Sequence, residues 1–137
     1  MTKPVQTLSW ALRLLVAGIL LQTLYFKFTA APESVYIFSS LGLEPWGRWA
    51  AGLSELAASI LLLWPGKAAL GAALGLGVIS GALAAHLTKL GIVVLNDGGL
   101  LFGLACTVFL GCLILLALHR SELLPWTKKL PLIGGRL

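Results

Sequence analysis

Four stretches of about twenty residues with almost no charge are the feature that most constrains this chain. They cover residues 8–26, 46–64, 68–87 and 99–118, and short connections with proline, glycine and charged residues separate them. Twenty residues of α-helix rise about 30 Å, which matches the hydrocarbon core of a bilayer. The pattern predicts an all-α polytopic membrane protein, with residues 1–137 forming one bundle of four transmembrane helices.

The composition excludes a soluble catalytic domain. Of the 137 residues, 58% are hydrophobic and only 11% are charged, whereas soluble domains average about 25% charged residues. The formal net charge of +5 comes from basic residues that are thinly spread and concentrate near the ends of the apolar stretches. We therefore expect these basic residues to contact the anionic headgroups of the lipid bilayer, and we do not expect nucleic acid as a partner.

The longest connection, between the first two stretches, predicts a short helix of its own. Pro32 and Glu33 suit the first turn of a helix, and Gly42 suits its end. The segment is too short to cross a bilayer, so we expect an interfacial or re-entrant helix that covers the space between the spans. The tail at residues 120–137 mixes basic residues, tryptophan and leucine, and it is expected to lie along the membrane surface.

The distribution of positive charge predicts the orientation. With four spans, both termini and the turn at residues 65–67 lie on one side of the membrane. That side holds six Lys and Arg residues against three on the other, leaving aside Arg13 inside the first span. Because cytoplasmic segments carry the excess of positive charge, both termini are predicted to be cytoplasmic.

Ionisable residues inside or next to the spans are the candidates for a functional site. Glu55 lies nine residues into the second stretch, about 13 Å deep, where an acidic residue costs about 2.5–3.5 kcal/mol. Arg13, in the cytoplasmic half of the first span, is expected at a depth that allows a partly buried pair with Glu55. Lys27, His86 and Asp97 belong to the outer ends of three spans and are expected to form a vestibule above that pair.

Each candidate also has a purely structural interpretation. The pair of Arg13 and Glu55 could only fix the register of two helices. Lys27 could extend to the headgroups, and His86 could donate to a carbonyl group. Asp97 could shape a turn and cap the fourth span, which is the interpretation that its sequence context favours.

Glycine and alanine dominate the third span. Overlapping small-xxx-small ridges predict that other helices approach its backbone closely; they contain Gly71, Gly75, Gly77, Gly81 and Ala85. The fourth span repeats this small-residue pattern with Gly99, Gly103, Thr107 and Gly111.

Several classes of membrane protein are excluded by missing residues. The chain has no CxxC motif, which a quinone-linked disulfide-forming oxidase requires. Cys106 and Cys112 are six residues apart and are expected to be small core residues on different helix faces. The two histidines, His86 and His119, are predicted on opposite sides of the membrane, which excludes a haem held by both. No metal site is expected.

The order of these features resembles the DoxX-like family of small four-helix membrane proteins. The resemblance runs from Arg13 and Lys27 in the first span to the loop ending LGLEP, the GxxEL at residues 52–56 and the AHL at residues 85–87. It covers nearly the whole chain, and Lys27 and Glu55 match the recurrent charged pattern of the family. Members are associated with membrane redox complexes, including a thiosulfate:quinone oxidoreductase subunit, with oxidative-stress partners, and in eukaryotes with chaperoning or cargo roles.

The resemblance implies a small accessory protein of a bacterial inner membrane. We expect a subunit or partner of a quinone-linked redox complex, and not a stand-alone enzyme, with a polar pocket open to the outer face that could receive a quinone headgroup. In this hypothesis Glu55 accepts a proton or a hydrogen bond, Arg13 sets its ionisation, and Lys27 and His86 line the entrance. Two alternatives stay open: a small-solute or proton transporter acting as a homodimer, and a membrane assembly factor or chaperone without pocket chemistry.

Overall fold

A computed structural model describes residues 2–95 and 97–123 of the chain, and over these residues the protein is all-helical, as predicted. The elements in order are α1 (Lys3–Phe28), α2 (Pro32–Ser40), α3 (Trp46–Leu63), α4 (Ala68–Ala85), a π-helical turn (His86–Leu90), α5 (Leu100–Leu118) and a 3₁₀ turn (Arg120–Leu123). Most of the tail that is predicted to lie on the membrane surface, residues 124–137, falls outside the described residues.

Three helical segments are long and apolar enough to cross a membrane, namely Lys3–Phe28, Ala68–Leu90 and Leu100–Leu118. Together with the composition, they indicate a membrane protein. α3 also reaches 18 residues, but it is not among the three segments. Its two charged residues, Arg48 and Glu55, lower its hydropathy.

The four long helices form a ring in which each helix packs against two neighbours. α1 contacts α3 and α5, and α4 contacts the same two helices from the other side. The hydrophobic core fills the end of the ring where α1 begins and α5 ends; its fully buried side chains include Val16, Leu20, Ala58, Leu62, Val108, Cys112 and Leu115. The prediction that Cys112 is a core residue is confirmed.

Glycines permit the closest contacts between helices at this end. Only some of the glycines in the predicted small-residue ridge of α4 make such contacts. A Cβ atom added at Gly71 would lie 2.5 Å from the backbone nitrogen of Leu62, and one at Gly111 would lie 2.7 Å from Val16 Cγ2. By contrast, a Cβ atom at Gly77 or Gly81 would meet nothing within 4 Å. The predicted close approach of helices is therefore present at Gly71 and absent at Gly77 and Gly81.

Helix boundaries depart from the prediction mainly at α1. This helix begins at Lys3, with Pro4 in its first turn, and not near residue 8, because the proline at the start pre-organises the backbone for helix. The short helix predicted after Pro32 is present as α2, and Gly42 follows it with φ +72°. The left-handed conformation of Gly42 turns the chain towards α3.

Candidate functional site

A cavity of about 660 Å³ occupies the end of the ring opposite the hydrophobic core. α2 covers it and contacts α1, α3 and the π-helical turn. The walls come from all five helices and are mostly apolar. The polar residues among the lining are Gln22, Thr23, Lys27, Glu33, Ser34, Ser54, Glu55 and His86.

An ion pair between Lys27 and Glu55 lies in the wall of this cavity. Lys27 Nζ is 2.7 Å from Glu55 Oε1, and the two side chains are 16% and 4% exposed. The hydroxyl group of Thr23 donates to the other carboxylate oxygen, Oε2. Thr23 and Lys27 are four residues apart in α1, so they lie on one face of the helix. Both carboxylate oxygens of Glu55 are thus held by α1.

Arg13 is not the partner of Glu55, which corrects the expected pair. Arg13 donates to the carbonyl groups at the end of α3, with Nε 2.5 Å from Leu62 O and Nη2 3.0 Å from Trp64 O. Ten residues of α1 separate Arg13 from Thr23, a rise of about 15 Å. Arg13 lies beside the end of α3, whereas Thr23 and Lys27 lie at the level of Glu55.

The role of Arg13 is therefore structural. Carbonyl groups in the last turn of a helix have no partner within the helix, and the guanidinium donates to one of them, that of Leu62. It also donates to Trp64 O, which accepts from the backbone N–H of Lys67 at 3.2 Å as well. Its charge also lies over the ring of Trp10, 3.8 Å from the ring centroid, which adds a cation–π contact. Arg13 fixes α1 against the end of α3, opposite the cavity.

Arg48 supports the site by holding the end of α1, and the sequence did not predict this role. Its Nη1 donates to the carbonyl oxygen of Lys27 at 2.5 Å. Its Nε and Nη2 contact the carboxylate of Glu44 at 2.8 to 3.0 Å. Arg48 is buried and so joins the last turn of α1 to the first turn of α3, which positions the backbone that carries Lys27. The spacing of Glu44 and Arg48, four residues apart, could have predicted their ion pair.

His86 lines the cavity from the side opposite α1, as part of the π-helical turn. Its Nδ1 is 2.9 Å from the carbonyl oxygen of Gly91, and its ring meets Phe102 edge to face, with centroids 5.6 Å apart. The structure thus places two of the predicted vestibule residues, Lys27 and His86, around one cavity. π-helical turns occur frequently at functional sites.

Asp97 does not line the cavity, and its contacts match the structural interpretation. Its Oδ1 accepts hydrogen bonds from the backbone N–H groups of Val94 and Gly99, at 3.0 and 2.8 Å, and its Oδ2 accepts one from Leu101 at 3.1 Å. The hydrogen bond from Val94 is the main cause that lowers the pKa of Asp97 below its ordinary value, because donors stabilise the ionised carboxylate. Asp97 shapes the loop and satisfies donors at the start of α5.

A second cavity, of about 440 Å³, lies at the opposite end of the bundle beside Arg13. Here Ser9 Oγ is 2.5 Å from His119 Nε2, and His119 Nδ1 is 2.8 Å from Glu122 Oε2. Glu122 Oε1 accepts from the backbone N–H of Ala69 at 2.9 Å. None of these contacts was predicted, although the spacing of His119 and Glu122 at the end of the fourth span was visible.

The hydrogen bonds from Ser9 to His119 and from His119 to Glu122 follow the order of a serine hydrolase triad. The surroundings of these residues do not match a catalytic site. Ser9 is only 1% exposed and lies inside α1, where backbone N–H groups are used by the helix and cannot stabilise an oxyanion. The chain of hydrogen bonds instead joins α1, the end of α5 and the start of α4. We interpret it as a structural connection.

Comparison with protein-family models, with curated proteins and with solved structures gave no match. The resemblance to the DoxX-like family therefore stays a prediction that rests on the residues.

Proposed function

We propose that this chain is a DoxX-like accessory protein that binds an amphiphilic ligand with a small polar headgroup, above all a quinone, in the cavity under α2. In this proposal it serves a quinone-linked redox complex of a bacterial inner membrane. The observation that carries the proposal is the Lys27–Glu55 pair in the wall of a mainly apolar cavity.

The cavity has the size and chemistry of a ligand pocket. Its volume of about 660 Å³ falls within the range of about 300–1,000 Å³ that small-molecule pockets occupy, and such pockets combine apolar walls with a few polar groups. Apolar walls suit an isoprenoid or alkyl chain and an aromatic ring. The polar groups gathered on α1 would orient the headgroup.

The charge of the pair favours a neutral headgroup. Glu55 neutralises the charge of Lys27, and the wall also holds Glu33, so it carries no excess of positive charge to attract an anion. The ammonium group has three N–H donors, and among the described residues Glu55 is its only hydrogen-bonded partner. Lys27 can therefore donate to a carbonyl oxygen of a quinone while it stays paired.

A topology of four spans is part of the proposal, with α3 as the additional span. Charged residues within a membrane are tolerated where they are paired inside the protein. Both charges of α3 meet this condition, since Arg48 pairs with Glu44 and Glu55 pairs with Lys27. With both termini cytoplasmic, the cavity and the interfacial helix α2 would face the outer side.

Ligand binding can be tested by filling the cavity. In Ala82→Leu the added atoms extend from a half-buried position in the cavity wall, so binding of a decyl-substituted benzoquinone should be lost while the bundle still folds. Binding is measured by equilibrium partition into nanodiscs with and without the protein. Ala57→Leu is the matched control, because Ala57 is exposed and does not line the cavity.

Saturable binding that Ala82→Leu abolishes and Ala57→Leu retains would support the proposal. Binding that is no greater than in empty nanodiscs, or equal in all three proteins, would contradict it. Purification in mild detergent tests the proposed role as an accessory protein. A flavin- or haem-containing enzyme that co-purifies would support this role, whereas a homodimer alone would favour the transporter alternative.

A further inference from the structure

We infer that the cavity selects the hydroxyl-bearing form of a ring headgroup, hydroquinone over quinone, and that His86 makes the selection. This inference rests on the ligand class proposed above, and it adds a residue that reads the redox form of the ligand.

The hydrogen bond of Nδ1 fixes the tautomer of His86. The carbonyl oxygen of Gly91, 2.9 Å away, can only accept, so Nδ1 must carry the proton and donate. In a neutral imidazole one ring nitrogen is a donor and the other an acceptor. Nε2 of His86 therefore presents a lone pair and no proton.

This lone pair has no partner in the part of the chain that the structure describes. Nδ1 makes the only hydrogen bond of the His86 side chain within residues 2–95 and 97–123. In the same residues no fully buried side-chain nitrogen or oxygen lacks a partner, so Nε2 is not sealed inside protein. The residue as a whole is only 6% exposed and lines the cavity. Its open acceptor is thus available to a molecule in the cavity.

Donor and acceptor lie on opposite walls. Lys27 belongs to α1 and His86 follows α4, and these two helices are not neighbours in the ring. A headgroup between them would meet N–H donors of Lys27 on one side and the lone pair of His86 on the other. A hydroquinone satisfies both, because one hydroxyl group can donate to Nε2 while the opposite oxygen accepts from Lys27.

A quinone satisfies only one of them. Its two carbonyl oxygens are acceptors, so the oxygen near His86 would face a lone pair, and both groups would lose hydrogen bonds to water without replacement. One such hydrogen bond to a neutral acceptor corresponds to a preference of about tenfold in affinity, or about 1.4 kcal/mol.

The experiment compares three ligands on the full chain in nanodiscs at pH 8, without oxygen. They are a decyl-substituted benzohydroquinone, the matching benzoquinone, and the 1,4-dimethoxy ether, which has the ring but no O–H donor. We expect the hydroquinone to bind about tenfold more tightly than the quinone. The ether should show no such gain, since the donor and not the redox state is recognised.

Two substitutions separate the acceptor from the structural hydrogen bond. In His86→Asn the side-chain amide can still donate to Gly91 but no atom takes the place of Nε2, so quinone affinity should stay and the preference should vanish. In His86→Gln an amide oxygen can take that place, so the preference should persist in part. Equal affinity of hydroquinone and quinone for the natural protein, or an unchanged preference in His86→Asn, would overturn this inference alone. Failure of all three ligands to bind would overturn the proposed function and this inference with it.

Discussion

Replacing Glu55 by Gln is expected to cost about 3 kcal/mol of folding free energy, because it leaves the charge of Lys27 without its partner. Breaking a buried ion pair by removing one member costs about 3–5 kcal/mol. The lower end applies here, since the lysine side chain keeps 16% exposure whereas the carboxylate keeps 4%. Gln retains the shape of Glu and can still accept a hydrogen bond from Thr23, so the change in folding free energy reports the loss of the charge alone.

The double variant Lys27→Met/Glu55→Gln should recover most of this stability. Removing both charges also removes the desolvation cost that each carried, and the hydroxyl group of Thr23 keeps a second acceptor in Leu20 O at 3.0 Å. The coupling energy between the two sites is therefore expected to reach about 2–3 kcal/mol. Unfolding in mixed micelles by increasing the fraction of SDS, followed by circular dichroism, measures the double variant and the two single variants, Glu55→Gln and Lys27→Met.

Glu33→Gln is the matched control, since Glu33 also lines the cavity but makes no ion pair within residues 2–95 and 97–123. It should cost less than about 1 kcal/mol, the contribution of an acidic group in the first turn of a helix. If Glu55→Gln were within about 0.5 kcal/mol of the natural protein, or if the double variant were less stable than both single ones, the reasoning about the pair would be refuted.

Three other predictions concern the scaffold. Gly71→Ala should destabilise the bundle by about 1–3 kcal/mol, because its Cβ atom would lie 2.5 Å from the backbone nitrogen of Leu62, whereas Gly77→Ala should be neutral or stabilising; SDS titration compares them. Arg13→Met should cost about 1.5–3 kcal/mol, because the carbonyl oxygen of Leu62 loses its charged donor while Trp64 O keeps the N–H of Lys67. An equally stable variant in the same titration would contradict that role. The lowered pKa of Asp97 means that its stabilisation is complete above the ordinary value of 3.8 and is lost as pH falls through the lower folded pKa. Hydrogen exchange at the start of α5 should therefore show constant protection from about pH 5 to 8 after correction for intrinsic rates, and reduced protection throughout this range in Asp97→Asn.

Residue types and periods predicted most of the helical framework. The apolar stretches correspond to α1, α3, α4 and α5, and Pro32 with Gly42 correctly marked α2, since proline and glycine act through the local backbone. The same local rules identified Asp97 as a loop and cap residue. Such features depend on neighbours in sequence, which is why they could be read without a fold.

The partners within the site could not be read in the same way. Lys27 and Glu55 were both candidates, but the carboxylate was expected to meet Arg13, because the offset between two helices was estimated from the apparent starts of apolar stretches. In the structure Arg13 lies beside Leu62, seven residues beyond Glu55 in α3, which is a rise of about 10 Å and is enough to exchange one cation for another. Ser9 and His119 were missed for a related reason, since their contact joins residues 110 positions apart.

The sequence by itself determined that the protein is helical and apolar, and that Glu55, Lys27 and His86 need an explanation. Hydropathy and helix period are properties of single segments, so they survive without knowledge of neighbouring helices. Only the tertiary structure decided that Gly77 meets open space while Gly71 packs against α3, that Arg48 joins the end of α1 to α3, and that Glu55 pairs with Lys27. These outcomes depend on the register and order of helices around the ring, which long-range packing sets and which no single segment encodes.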